Sequence, residues 1–314
     1  MFNSTHTLVG FAIARTGAGK WTRHATATAV IASNLPDIDS IAGLWGTAAY
    51  LNHHRGITHA LIGVPILALV LSAVMYLFSG NFGRTYTIAL IAMATHPALD
   101  YLNPYGLRPL LPWSGRWYYG DAVFIIDPYL DFVLLIGILA GRVVPNRKRI
   151  AAWSCLIIAM AYIAARIELH RMAASKVEAI VAQDWTIEKL AVLPQMLDPW
   201  RWEVMVQTNT ETAKFSVHAL RRPAVPPDAF TRMHRSPPSD IITRAASTPS
   251  AVALLRFARF PVARVEKLGT AYRVTFIDFR FYREEAHTAL ASEVTLDPSM
   301  QVINESVSFV NKIN

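Results

Sequence analysis

Histidine and aspartate residues recur in short clusters in the first half of this 314-residue chain, each at an end of an apolar segment. His96 and Asp100 are four residues apart, as are Asp127 and Asp131, which places each pair on one face of a helix. Neutral imidazole and carboxylate are ligands for zinc, manganese or iron, and bridging carboxylates suit sites with two or more ions. The pattern therefore predicts a divalent-metal site. The clusters read TH (5–6), LPDID (35–39), HHRGITH (53–59), THPALD (95–100) and GDAVFIIDPYLD (120–131).

Each of these residues, taken alone, also has an ordinary structural explanation. A histidine near a helix start, such as His24, is more often a cap or a surface residue, and Asp37 or Asp39 could cap a following helix. Arg55 could bury its stem and keep its charged head at a membrane interface, and Asp131 could pair with an arginine. Ionisable groups inside apolar segments are costly, however. Five clusters together therefore favour a functional site.

Composition and charge divide the chain into two halves. Apolar residues make up 53% of the chain and charged residues 17%, against roughly 25% charged residues in typical globular chains. Residues 1–165 hold eleven Lys and Arg but six Asp and Glu, whereas residues 166–314 hold nineteen and sixteen. This composition excludes intrinsic disorder. A single cysteine, Cys155, excludes a disulfide framework and a Cys-ligated zinc site.

The apolar segments of the first half predict a polytopic α-helical membrane domain of about 4–6 helices. Residues 60–79 are the clearest span, because twenty residues without a charge match the hydrocarbon core in length. The loops 15–23, 80–85 and 142–149 together hold eight Lys and Arg. The positive-inside rule places these loops in the cytoplasm. The His and Asp clusters and the C-terminal domain of this multi-pass protein would then face the periplasm or exterior.

The second half predicts a mainly antiparallel β domain, so that the expected fold class is α+β. Residues 166–198, rich in helix formers at first, predict a connecting helix between a metal-site domain (1–165) and an extramembrane β-rich domain (199–314). After Pro199, apolar and polar residues alternate in stretches such as WRWEVMVQT and TAYRVTFIDF, which is typical of strands with one wet face. Residues 235–250 predict a loop.

The order TH, LPDID, HRGITH, HPxLD, and GD followed by IDP resembles the bacterial inner-membrane metal-dependent hydrolases, a LexA-regulated family, loosely over the whole chain. The HPxLD pattern is also similar to the HxxxD of zinc-dependent phospholipase C, where a His and an Asp one turn apart bind metal. That phospholipase fold is soluble and has amphipathic helices, whereas these segments are apolar nearly all round. Asp127 joins the candidate ligands on its spacing from Asp131. The resemblance implies seven further ligands: His6, Asp37, Asp39, His54, His59, His96 and Asp100.

The leading functional interpretation is a membrane-bound metal-dependent hydrolase of a lipid or phosphate ester, acting at the outer face of the cytoplasmic membrane. Two or more divalent ions, zinc first and manganese or iron as alternatives, would activate water and polarise the substrate. Asp39 or Asp121 would be the general base, and Arg55 would stabilise charge on a phosphoryl group.

Two other classes of function stay open. The first alternative is a non-catalytic membrane protein with a structural metal site and a partner-binding β domain. The second is a cation transporter, although its ionisable groups should lie near the midplane rather than at one face. The lipid bilayer is an expected partner in every case. The nearly balanced charge of the second half argues against nucleic acid, and the sequence leaves the oligomeric state open.

Overall fold

In a computed structural model of the chain, residues 1–181, 186–221, 230–282 and 288–311 are described. The fold is α+β, with a C-terminal antiparallel sheet. The chain divides into two compact units, each built from segments that are separate in sequence. The first unit comprises Met1–Asp39, Arg55–Ala173 and Leu193–Trp202, and the second unit comprises Ser40–His54, Ala174–Val192 and Glu203–Asn314.

Seven α-helices precede the first strand in the described residues. A 3-10 segment, Leu35–Trp45, follows α2, and a 3-10 turn, Ile57–His59, precedes α4. The helices are α1 (Asn3–Arg15), α2 (Ala25–Asn34), α3 (Thr47–His53), α4 (Gly63–Ser79), α5 (Phe82–Tyr101), α6 (Pro128–Val143) and α7 (Lys148–Val181).

Local sequence signals set the ends of the helices that lead to the candidate site. The apolar helix α4 ends at Gly80, whose φ of +67° is the left-handed conformation that favours glycine after a helix. Asn81 then caps α5, because its side chain accepts a hydrogen bond from an N–H of the first turn. Pro128 occupies the first position of α6, and Asp127 caps that helix by accepting two backbone hydrogen bonds.

Small residues allow the helices of the first unit to approach closely. A Cβ atom at Gly10 of α1 would lie 2.8 Å from the carbonyl oxygen of Ala29 in α2. A Cβ atom at Gly137 of α6 would lie 2.7 Å from the Sγ atom of Cys155 in α7. Buried residues of α1, α2, α4 and α5 share one apolar core. Because α1 carries His6 and α2 leads into the 3-10 segment, this packing fixes the positions of His6 and of the start of that segment.

The strands form two four-stranded sheets, in the orders β1-β2-β3-β4 and β5-β6-β7-β8. The second sheet is antiparallel throughout, and β5 turns into β6 at Gly269, whose φ is +62°. The strands are β1 (Lys189–Pro194), β2 (Arg201–Gln207), β3 (Glu211–His218), β4 (Thr231–His234), β5 (Pro261–Leu268), β6 (Ala271–Asp278), β7 (Thr288–Leu296) and β8 (Val302–Asn311).

Two short helices precede β5. They are α8 (Asp240–Ala246) and α9 (Pro249–Phe257), so the prediction of a loop over residues 235–250 is wrong for most of that stretch. Ser239 caps α8 through its hydroxyl, and α9 buries Leu254 on its apolar side.

The prediction of a polytopic membrane domain with about 4–6 apolar helices is wrong. Among the described residues, one helical stretch, Pro145–Glu178, is long and apolar enough to cross a membrane. The number rises to two if the pair Thr47–His59 and Gly63–Ser79, bent by 79°, counts as one span. Helices α1, α2 and α6 have 13, 10 and 16 residues. These lengths correspond to about 20, 15 and 24 Å, against roughly 30 Å of hydrocarbon.

Helix α7 runs without a break through residue 165, where the sequence predicted a division between domains. The helical part of the first unit continues to Ala173. Within the predicted connecting helix, residues 166–198, the chain is helical to Val181 and β1 begins at Lys189. Residues 182–185 of that segment lie outside the described residues.

Candidate metal centre

Three elements of the first unit bring four candidate ligands together. Asp37 lies on the 3-10 segment after α2, His59 ends the 3-10 turn before α4, and His96 and Asp100 lie one turn apart near the end of α5. Both histidines and Asp100 are buried, and Asp37 is partly buried. One ligand atom from each residue lies within 4.8 Å of the others. We refer to these four residues as the four-residue centre.

The distances within the four-residue centre fit ligands arranged around one small ion. The Nε2 atoms of His59 and His96 each lie 3.4 Å from Oδ1 of Asp37. The same two atoms lie 3.5 and 3.6 Å from Oδ2 of Asp100, which is longer than an N–H···O hydrogen bond. Two atoms that each lie about 2.1 Å from a tetrahedral ion are about 3.4 Å apart. The observed spacing therefore matches tetrahedral coordination.

The orientation of His96 supports the same interpretation. Its Nδ1–H donates a hydrogen bond to the carbonyl oxygen of Ser33 over 2.7 Å, so the unprotonated Nε2 of the neutral ring faces the centre. This Nε2 is buried and has no hydrogen-bond partner among the described residues. Burial lowers the pKa of His96 below its ordinary value, and the neutral imidazole is the form that binds metal.

His6 lies against His96 from α1. The two rings are stacked with 3.7 Å between their centroids, and Nε2 of His6 lies 3.5 Å from Oδ1 of Asp100. Burial, followed by the neighbouring His96, lowers the pKa of His6 well below its ordinary value. Neither ring nitrogen of His6 has a hydrogen-bond partner in the part of the chain that the structure describes. His6 is therefore a third nitrogen donor, and a fifth candidate ligand, at the edge of the centre.

Asp37 places a carboxylate beside the two imidazoles, with its Oδ1 atom 3.4 Å from the Nε2 atoms of His59 and His96. With Asp100, the centre thus offers two carboxylates and two imidazoles, a set that suits a divalent cation.

Asp39 lies behind His59. Its Oδ2 atom is 3.3 Å from Nδ1 of His59 and accepts a hydrogen bond of 2.7 Å from the hydroxyl of Thr58. A carboxylate at the second ring nitrogen orients a metal-binding histidine and makes its other nitrogen more basic. The structure therefore gives Asp39, predicted as ligand and general base, the geometry of a positioning residue.

Arg55 is fixed beside Asp100. It is buried, its Nη2 atom lies 3.4 Å from Oδ2 of Asp100, and Nη1 donates hydrogen bonds of 2.9 Å to Oδ1 of Asn103 and to the carbonyl oxygen of Gly106. The amino group of Met1 contacts Oδ1 of Asp100. Sequence reasoning missed Asn103, although its position three residues after Asp100 could have indicated it.

The other three predicted site residues are not among the four residues of the centre. Asp127 caps α6, and its two oxygens accept hydrogen bonds from the hydroxyl of Tyr162 over 3.1 and 2.9 Å. Both oxygens of Asp127 thus contact protein donors, and its role as a metal ligand stays a prediction. Asp121 is buried in the connection between α5 and α6, with φ of +50°. His54 belongs to the second unit.

The residues present fit a divalent cation. The buried Nε2 atom of His96 has no hydrogen-bond partner among the described residues, and it faces carboxylate oxygens at ligand-to-ligand distances. A buried polar atom in that state is costly unless it binds something. A mixed set of two nitrogens and two oxygens suits zinc, manganese or iron.

Comparisons with known proteins cover both halves of the chain. The family described as YfhP C-terminal alpha/beta plait domain matches residues 240–313. The uncharacterized protein YfhP of Bacillus subtilis (strain 168) is 27% identical over 300 residues, which cover 91% of this chain and 88% of that protein. No solved structure matches the chain significantly. The family described as YdjM inner membrane protein matches residues 1–172, more than half of the chain and the whole four-residue centre. The chain therefore belongs to the YdjM inner membrane protein family.

Proposed function

We propose that this protein is a membrane-bound metal-dependent hydrolase of a lipid or phosphate ester. The observation that carries the proposal is the four-residue centre, in which His59 and His96 direct Nε2 atoms at carboxylate oxygens 3.4–3.6 Å away. A divalent ion held there would act as a Lewis acid on an ester or phosphoryl oxygen and lower the pKa of a water molecule. Zinc is the first candidate on the ligand set.

The residues around the centre supply the other parts of a hydrolytic site. The buried guanidinium of Arg55, held by Asn103 and Gly106, can bind an anionic oxygen of the substrate and of the transition state. Asp39 holds the ring of His59 in place. The role of Asp121 as a general base stays a prediction.

More than one ion is expected. The Oδ2 atom of Asp100 faces His59 and His96, and its Oδ1 atom faces His6. A carboxylate that bridges two metal ions likewise directs each oxygen at a different set of ligands. Bridging carboxylates are typical of sites with two metal ions.

Action at the outer face of the membrane is supported by the contacts of α7 with the start of α6 and of α6 with the start of α1, which carries His6. The basic loop before α7, residues 142–149, holds four Arg and Lys and is expected in the cytoplasm. Tyr162 of α7 contacts Asp127 at the start of α6. At the same end of α6, Asp131 accepts hydrogen bonds from the start of α1. Fourteen residues of helix separate Tyr162 from Lys148, or about 21 Å.

The proposal is tested with metal-loaded protein and a panel of phospholipid and lipid-phosphate substrates. We expect hydrolysis that a chelator stops and zinc restores. Arg55→Met should keep its metal and lose about 10²-fold or more in kcat, as on removal of a transition-state donor. Arg84→Met, which removes an arginine from the first turn of α5, is the matched control and should retain activity. No hydrolysis by the metal-loaded wild type across the panel would contradict the proposal.

One observation favours a second candidate, a structural metal site in a non-catalytic protein. Two histidines and two aspartates complete a tetrahedral set without an open position, as structural zinc sites do. In that case metal removal should unfold the first unit, and the metal-loaded protein should hydrolyse nothing in the panel.

A further inference from the structure

An apolar pocket of about 490 Å³ opens beside the four-residue centre in the first unit. This volume lies in the range of about 300–1,000 Å³ that is typical of small-molecule sites. His59 lines one part of the pocket, so the pocket and the centre share a side chain. The rest of the wall is almost entirely apolar, and includes Val64, Leu90, Ala94, Ala98 and Pro109.

Helix α5 presents the pocket and the centre on neighbouring faces of the same two turns. Pro97 and Tyr101 line the pocket, whereas the residues that directly precede them, His96 and Asp100, belong to the centre. Each residue advances the helix by about 100°, so adjacent residues open onto adjacent surfaces. A molecule that reaches the centre from this side therefore passes Pro97 and Tyr101 of α5.

The rim of the pocket is apolar and exposed. Leu61, which lines the pocket, is 70% exposed, and the segment that contributes Pro109 continues into the exposed Trp113. An exposed leucine at a pocket rim, like an exposed tryptophan in the segment that follows Pro109, is costly in water and favourable at a lipid interface. Together with membership of an inner membrane protein family, these residues indicate that the occupant enters from lipid.

We propose that this pocket holds the alkyl chain of a lipid whose ester or phosphate group lies at the four-residue centre. The alkyl chain follows from the apolar wall, and the position of the polar group follows from His59, which belongs to both sites. Only the chemistry at the polar group rests on the proposed hydrolase function. Binding of the alkyl chain requires neither metal nor catalysis.

The test measures binding of n-alkyl alcohols of increasing length to metal-free protein held in amphipol, in competition with a fluorescent fatty acid. Each methylene that enters the pocket should increase affinity about 4-fold until the pocket is full. Ala94→Trp fills the pocket from its exposed side, so the fold should survive. We expect this variant to lose at least ~10-fold in affinity for the longer alcohols, because two methylenes already contribute that much.

Ile91→Trp is the matched control, because Ile91 lies on the same helix, is exposed and does not line the pocket. This variant should bind alcohols as the wild type does. Equal affinity in Ala94→Trp and the wild type, or affinity that does not depend on chain length, would overturn the proposal. If the wild type binds alcohols with the expected dependence on chain length but hydrolyses nothing, the pocket proposal is supported and only the hydrolase proposal is contradicted.

Discussion

The Nδ1 atom of His96 donates a hydrogen bond of 2.7 Å to the carbonyl oxygen of Ser33, which joins α5 to the end of α2. The bond fixes the tautomer of the ring, so Nε2 is directed at Asp37 without a proton. Ser33 lies four residues before Asp37 in the chain. One hydrogen bond therefore sets the positions of ligands from two different elements.

Gly10→Ala should destabilise the first unit by about 1–3 kcal/mol, the usual range for overpacking a close contact. The new Cβ atom would lie 2.8 Å from the carbonyl oxygen of Ala29, so α1 would have to move away from α2 and carry His6 with it. Denaturant unfolding followed by circular dichroism measures the change. Gly83→Ala, where nothing lies within 4 Å of the new atom, is the control and should be neutral or stabilising. Equal stability of Gly10→Ala and the wild type would refute the close-packing explanation.

Asp39→Asn should weaken zinc affinity about 10- to 100-fold, as is usual when a carboxylate behind a ligand histidine is removed. The reason is that the amide cannot make Nε2 of His59 more basic through Nδ1. Competition with a chromophoric chelator gives the affinity, and Asp240→Asn on α8 is a control. Unchanged zinc affinity combined with lost hydrolysis would instead identify Asp39 as the general base.

The metal-free protein should lose stability as the pH falls from about 7.5 to about 5.5, a range that includes the ordinary histidine pKa of about 6.5. Burial lowers the pKa values of His6 and His96 in the folded state, so the unfolded chain binds protons more readily. Acidification therefore stabilises the unfolded state relative to the folded state. The free energy of unfolding, measured at several pH values, should fall less steeply in His6→Phe, which keeps a ring against His96. A wild-type stability that is flat or rises on acidification would be the opposite result.

Part of the centre could be predicted from the sequence because helix geometry relates residues four apart. His96 and Asp100 belong to one helix, and the structure places their ligand atoms 3.6 Å apart on α5. The position of Asp39 behind His59 could not be predicted, because it depends on how the 3-10 segment after α2 meets the turn before α4. Asp127 shows the same limit, because its spacing from Asp131 fits a metal ligand and a helix cap equally well, and in the structure it caps α6.

The strand alternation predicted most of the sheet residues, because a half-buried strand needs period two. The number of membrane spans was wrong because apolar composition does not fix helix length. α2 ends at Asn34 after ten residues, and α5 carries Arg84, His96 and Asp100 along its length. Helix α8 was missed because its seven residues depend on tertiary packing more than on propensity.

The most direct test is the metal content of protein purified without chelator, measured by elemental analysis. The wild type and His24→Asn, a histidine outside the centre, should each carry at least one equivalent of a divalent transition metal. His96→Ala and Asp100→Ala should lose most of it while keeping the helical circular dichroism of the wild type. A wild type that stays metal-free after exposure to zinc, or both variants with wild-type metal content, would contradict the four-residue centre.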